Sequence, residues 1–270
     1  MARYSRSLIK ELGDLPKYLY KYFSSSDEKF DRIEQVISES KLYFAQPKSF
    51  NDPFDCNIPL SFKATQLKAE KYWKVVARRQ DGSSGRQLNQ SVRELVALSR
   101  TKEGKTFLNN KVRDSVNKNG IASFSTDNRN TLMWAYYASG HTGVSLRFNM
   151  SSEYLTQIKW SNLLIQVDYQ ENIPEINYYE IENPDSYLTR YFGTKAIGWK
   201  HENEWRLVSV GEYGLLSIPN KMVDGIIFGL STDKDFEKRV RQLVEKSKVD
   251  IELLRVVHKP GSYELEVEPA

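Results

Sequence analysis

An α+β fold with a mixed, mainly antiparallel sheet is predicted by three observations. Short alternating apolar segments recur along the chain, helical periodicity gathers in one block at about 64–118, and the last fifty residues read strand, helix, strand.

Each element follows from local pattern. Residues 17–23 (KYLYKYF) alternate as a strand does. Ser24, Ser25, Ser26 and Asp27 offer caps for an amphipathic helix carrying Phe30, Ile33, Val36 and Ile37 on one face. Residues 41–45 (KLYFA) form a short strand that runs into PKSFNDPFDC, where Pro47, Asn51, Asp52 and Pro53 oppose regular structure. The block at 64–117 is helical in two or three pieces, broken by a loop at 80–87. With few large apolar residues, it reads as a helical insertion packed on one side only. Residues 121–125 (IASFS) are a strand, and Asn130 caps the short aromatic helix TLMWAYYAS. Gly140 and Gly143 then bracket a turn into the strand GVSLRF. A strand at 164–169, a helix at 185–197 and a strand of period two at 203–210 follow. The end of the chain holds a strand at 225–228, a helix at 233–246 capped by Ser231 or Thr232, a strand at 249–257 and the edge segment SYELEVE. No repeat or low-complexity linker marks a boundary, so residues 1–270 read as one domain with its insertion.

Composition narrows the function classes. The net charge of +4 is too small to mark a nucleic-acid binder, but thirteen Lys/Arg against five Asp/Glu lie between Lys68 and Lys118. That block is expected to be a solvated helical face, with nucleic-acid contact as the alternative. The single cysteine, Cys56, allows no internal disulfide and fits a reducing compartment. No apolar run approaches the ~20 residues that cross a bilayer, and the first residues lack the apolar core of a secretory signal; a cytoplasmic protein without membrane contact is expected. The three histidines show no metal-ligand spacing, and no GxSxG, P-loop or GxGxxG occurs.

The densest polar cluster beside a strand is Lys200-His201-Glu202-Asn203-Glu204-Trp205-Arg206. In an extended chain Glu202, Glu204 and Arg206 share one face, while Trp205 and Leu207 anchor the other to the core. The alternative is an exposed ladder of weakly stabilising ion pairs. In Ser123-Phe124-Ser125 two hydroxyls point one way and the phenyl ring the other. The helix at 131–139 carries Trp134 and Tyr137 on a shared face, either as core or as a platform for a flat heterocycle.

The boxes YLYKYFS, KLYFAQPKSFNDPFDC, ASFSTDNRNTLMWAYYASGHTGVSLRF and KHENEWRL together resemble a bacterial family known as domain of unknown function 2971. Its layout is in turn similar to the ADP-ribosyltransferase superfamily, whose members transfer ADP-ribose from NAD to proteins or nucleic acids. That resemblance implies Glu204 as the catalytic glutamate and Glu202 as its upstream partner. It implies Ser123 and Ser125 as the serines beside nicotinamide, with Trp134, Tyr136 or Tyr137 supplying an aromatic ring there. Lys21, flanked by Tyr22, stands where the superfamily carries Arg or His, and lysine cannot make the bidentate fork of arginine. Arg206 would keep Glu204 ionised.

The expected activity is therefore NAD-dependent ADP-ribosyl transfer or NAD cleavage, in a toxin or phage-defence setting, with NAD as substrate and an unidentified protein or nucleic acid as acceptor. A metal-dependent nuclease is the second expectation, with Glu204-Trp205-Arg206 in place of an E-x-K element. A non-enzymatic nucleotide-sensing or interaction module is the third.

Overall fold

The computed structural model describes residues 15–81, 84–158, 162–180 and 184–270. The middle of the expected loop at 80–87 lies outside them. The chain is α+β. Strand β1 (Tyr18–Phe23) leads into helix α1 (Asp27–Glu39), whose buried Ile33, Val36 and Ile37 form the predicted apolar face. Asp27 and Glu28 lie in its first turn, where acidic side chains complement the helix dipole. β2 (Lys41–Phe44) follows, then a 3-10 turn at Pro47–Ser49 and the two-residue β3 (Leu60–Ser61).

The insertion is three helices, α2 (Gln66–Asp81), α3 (Gly85–Arg100) and α4 (Lys102–Val116). It is better packed than its composition suggests. Trp73, Leu88, Val92, Val96 and Leu108 close on one another and on Tyr179 as a small apolar cluster.

β4 (Gly120–Ser125) re-enters the sheet, and Asn130 caps α5 (Thr131–Tyr137) by accepting from the Leu132 and Met133 amides. Next come β5 (Val144–Asn149), the single turn α6 (Ser152–Leu155), β6 (Asn162–Gln166), β7 (Asp168–Gln170) and β8 (Ile176–Asn177). The expected strand at 164–169 breaks at Val167, whose amide turns to donate to the Glu204 carbonyl at 2.9 Å. The expected helix at 185–197 is also shorter: α7 (Pro184–Gly193) stops at a glycine that lies against Ile165. The chain then pairs with β7 as β9 (Thr194–Ala196). A 3-10 turn, Ile197–Glu202, ends at Asn203 in the left-handed region (φ 46°), which sets the start of β10 (Glu204–Ser209). β11 (Gly214–Ser217), β12 (Val223–Phe228), α8 (Lys234–Ser247), β13 (Glu252–His258) and β14 (Leu265–Pro269) complete the chain. Asp233, rather than Ser231 or Thr232, caps α8.

Among the described residues the main sheet has eight strands, in the order β14-β13-β12-β5-β1-β4-β10-β6. All neighbours are antiparallel except the β12–β13 pair, which the α8 crossover makes parallel. One face packs on α1 and α8 through Leu19, Leu146, Phe148, Trp205, Phe236 and Val240. At the centre the ladder is incomplete. β1 pairs along its whole length with β5 but meets β4 only at Tyr20 opposite Ser125. A cleft opens at this divergence.

Candidate functional site

The cleft encloses about 410 Å3. β1 contributes Tyr20, Lys21 and Tyr22 to its walls, and β4 contributes Ser123 and Ser125. β10 pairs in full register with β4, which puts Glu204 opposite Ser125 and Arg206 opposite Ser123. Glu204 thereby enters the floor of the cleft, with Trp205 and Leu207 turned into the core behind it. Glu202 reaches the same cleft from the 3-10 turn rather than from the strand. The left-handed residue Asn203 separates the two carboxylates in the chain while both still face inward.

The charges are buried, so the exposed-ladder alternative does not describe them: Glu202, Glu204 and Arg206 are 3, 4 and 0% exposed. Arg206 uses all five of its N–H donors. Nε and Nη2 donate to Glu204 at 2.8 and 3.1 Å, Nη1 and Nη2 fork onto Asp55 at 2.7 and 2.6 Å, and Nη1 also donates to the Phe192 carbonyl at 2.8 Å. A guanidinium so saturated has nothing left for a ligand. Arg206 is a positioning residue for Glu204 and Asp55.

Lys195 bridges the two glutamates. It donates to Glu204 at 2.9 Å and, by a short contact, to Glu202, with Asp55 at 3.8 Å. The Tyr137 hydroxyl donates to the other Glu202 oxygen at 2.5 Å. These neighbours drive the two acids apart. Burial alone would raise the pKa of Glu204, but Arg206 and then Lys195 outweigh it and hold the carboxyl down at about 2. For Glu202 burial wins over Lys195 and Tyr137, with the Glu204 charge adding to it, and its pKa stays above the ordinary carboxylate value. One carboxylate is thus locked in the ionised form beside another that takes a proton more readily, the pairing that divides acid–base from electrostatic work in many sites.

The structure brings together most of the residues singled out from sequence. Lys21, Tyr22, Ser123, Ser125, Tyr137, Glu202 and Glu204 line one cleft. Trp134 does not join them: it is fully buried, packs edge-on against Tyr22 at 5.0 Å and donates its indole N–H to the Asn128 carbonyl. Tyr136 points outward and is 65% exposed. A seven-residue helix turns its faces too quickly for all three rings to meet one ligand. Two members of the cluster were not anticipated. Lys195 fell within a segment expected to be helical, and Asp55 lies in a proline-rich turn that gives no periodic signal.

Lys21 occupies the gap where β1 leaves β4. Its ammonium donates to the Ser123 carbonyl at 3.0 Å, and it forms no ion pair with a carboxylate among the described residues. Burial draws its pKa down to about 8, against the opposing pull of Glu204. A lysine whose folded pKa lies below its unfolded value loses its proton first in the folded state, so stability gained through Lys21 rises as pH climbs from about 8 towards 10.5. Lys21→Met is therefore expected to raise the thermal midpoint at pH 7 and to remove that rise at alkaline pH, read by melting curves between pH 6 and 10.

Metal chemistry at this cluster would require a divalent ion to compete with the cations already there. Lys195 bridges Glu202 and Glu204, and Arg206 forks onto Asp55. Among the described residues no group of three or more His, Cys, Asp or Glu is arranged to hold a metal ion. None of the described helices is long and apolar enough to cross a membrane.

A family described as "Protein of unknown function (DUF2971)" matches residues 133–207. The matched stretch runs from α5 to β10 and so contains Tyr137, Lys195, Glu202, Glu204 and Arg206. It is narrower than the boxes read from sequence: the tyrosine-rich first strand, the PKSFNDPFDC turn and the S-x-S strand lie outside it. No curated protein and no solved structure matches the chain. Nothing in these comparisons returns an ADP-ribosyltransferase.

Proposed function

We propose that the cleft cleaves the nicotinamide–ribose bond of NAD and passes the ADP-ribosyl group to an acceptor or to water. The observation that carries this reading is the pair Glu204 and Glu202, buried in one cleft, sharing Lys195 and held to opposite proton affinities.

Breaking the bond between the ribose C1′ and the nicotinamide nitrogen leaves positive charge on the ribose ring, while nicotinamide departs neutral. A fixed, ionised Glu204 lowers the energy of that charge as it develops, and its partners are already in place before reaction. The incoming nucleophile forms a new bond to C1′ and must shed a proton. Glu202, with its raised proton affinity, is suited to receive it, and Tyr137 fixes the orientation of its carboxylate. Lys21, which has no carboxylate partner among the described residues, offers positive charge to the phosphates as a point charge rather than a fork. Ser123 and Ser125 supply small hydroxyls on the wall between.

The reading is tested by incubating the purified protein with labelled NAD, with and without cell lysate, and following free nicotinamide and transferred label. Nicotinamide release by the wild type is expected. Absence of release together with absence of NAD binding in calorimetry overturns the proposal and favours a sensing or interaction module; divalent-dependent cleavage of DNA or RNA favours a nuclease.

A finer expectation concerns pH. The Tyr137 hydrogen bond lowers the Glu202 pKa, so Tyr137→Phe raises it further. Because Glu202 must be ionised to accept a proton, the acidic limb of the rate profile should move to higher pH in this variant. An unshifted limb would remove Glu202 from the role of base.

A further inference from the structure

Beside the cleft three rings stand in a row. Tyr136 stands beside His201 with ring centres 6.3 Å apart and planes tilted by 57°, and His201 stands beside Trp199 at 6.2 Å and 34°. Each ring is tied to a residue of the cleft. Tyr136 precedes Tyr137, His201 precedes Glu202, and Trp199 lies under the Lys195 ammonium at 5.1 Å. The row is a ledge on the elements that wall the cleft, outside the cleft lining itself. Tyr136, next to last in α5, is 65% exposed, and the buried Nε2 of His201 has no hydrogen-bond partner among the described residues. An exposed ring flanked by two partly buried ones is suited to a flat heterocycle, because stacking accepts any planar base.

A second feature suits the polymer that carries such bases. On α3, Arg86, Arg93 and Arg100 recur every seven residues and so fall on one face, over a length of roughly 21 Å. On α2, Lys71, Lys74 and Arg78 form a similar stripe. All six are exposed, and none makes an ion pair or hydrogen bond among the described residues. Unpaired cations in register on a rigid helix match a polyanion better than a mixed protein surface.

We propose that the macromolecule this protein engages is single-stranded nucleic acid, with a base stacked on the Tyr136–His201–Trp199 ledge and phosphates held by the basic faces of α2 and α3. Its role as the ADP-ribose acceptor rests on the NAD-cleaving reading; its binding does not. Stacking on the ledge would present a base at the rim of the cleft, where Glu202 could take the proton lost by the attacking nitrogen or oxygen as its bond to C1′ forms.

The test is fluorescence anisotropy with labelled single-stranded DNA, single-stranded RNA and duplex DNA of equal length, at several salt concentrations and without NAD. Single strands are expected to bind more tightly than duplex. Tyr136→Ala should weaken binding roughly tenfold with the salt slope unchanged, as expected for loss of one stacked base. Tyr136→Trp should restore it, which a merely structural role would not do; the exposure of this side chain makes both variants fold-neutral. Replacing Arg86, Arg93 and Arg100 together by Gln should flatten the logarithmic salt slope by about two. The better substrate of the DNA and RNA arms identifies the natural strand. Equal binding by wild type and Tyr136→Ala, or no single-strand binding at low salt, overturns the proposal. Binding without any nicotinamide release would uphold it while overturning the NAD reading. Label that enters protein in preference to an offered strand would overturn the acceptor role.

Discussion

Arg206→Met should lower folding stability by about 3–5 kcal/mol, the loss typical when one member of a buried charge network is removed and its partners are left unpaired. The five donated hydrogen bonds end on Asp55, Glu204 and the Phe192 carbonyl, all of them buried residues. Methionine fills the volume but leaves two carboxylates facing each other with only Lys195 between them. The pH dependence distinguishes this cause from a packing defect. In the wild type the depressed pKa of Glu204 contributes stability that is present above its usual value of 4.5 and is lost as pH falls towards about 2. Without the guanidinium that contribution disappears, so the difference between variant and wild type should be largest at neutral pH and shrink in acid. Urea unfolding at pH 7 and pH 3 measures it; a constant difference would mean that shape, not charge, is what Arg206 supplies. Arg206→Lys should recover only part of the loss, because three donors on a flexible stem cannot replace five in a plane.

Glu204→Gln is expected to reduce the turnover of NAD by roughly 10²–10³-fold, the range seen when one preorganised electrostatic group is removed from a transition state. The amide keeps the size of the side chain and removes its charge, so NAD affinity should change far less than turnover. Single-turnover release of nicotinamide, measured alongside NAD binding, separates the two. Unchanged turnover in an otherwise active preparation would take Glu204 out of the chemistry and leave it as part of the internal ion network. Glu202 should behave differently: its replacement by Gln should impair transfer to an acceptor more than release of nicotinamide, because proton acceptance belongs to the second event.

The strands and helices with strong periodicity were legible in the sequence. KYLYKYF, IASFS and the EWRL segment alternate because one side of each meets the same core, and the αβ unit at the C-terminus carries apolar residues at helical spacing. The S-x-S and E-x-R geometry followed from the two-residue period alone. The electrostatic heart of the cleft was less legible because its members come from four separate places. Asp55 sits in a turn, Lys195 in a three-residue strand after a glycine stop, Glu202 in a 3-10 turn and Glu204 in a long strand. Neither periodicity nor spacing relates those positions; only the fold does. Residues 202 and 204 were expected to share one face of a strand. They meet in the cleft for another reason, the left-handed backbone at Asn203. Trp134 and Tyr136 illustrate the opposite difficulty, since a short aromatic helix reads alike whether its rings enter a core, a pocket or solvent.

That β1 pairs with β4 in the ladder at Tyr20–Ser125 alone has a mechanical meaning. It divides the main sheet into two leaves, β14-β13-β12-β5-β1 and β4-β10-β6, sewn together by that pairing, by the Lys21–Ser123 hydrogen bond and by the shared apolar packing on α1 and α8. Lys21 belongs to one leaf and Glu204 to the other. A molecule touching both would act as a clasp, adding a second point of attachment across the seam and damping any relative opening of the leaves. Amide exchange along β1 and β4 should then slow on ligand binding, well beyond the residues the ligand touches.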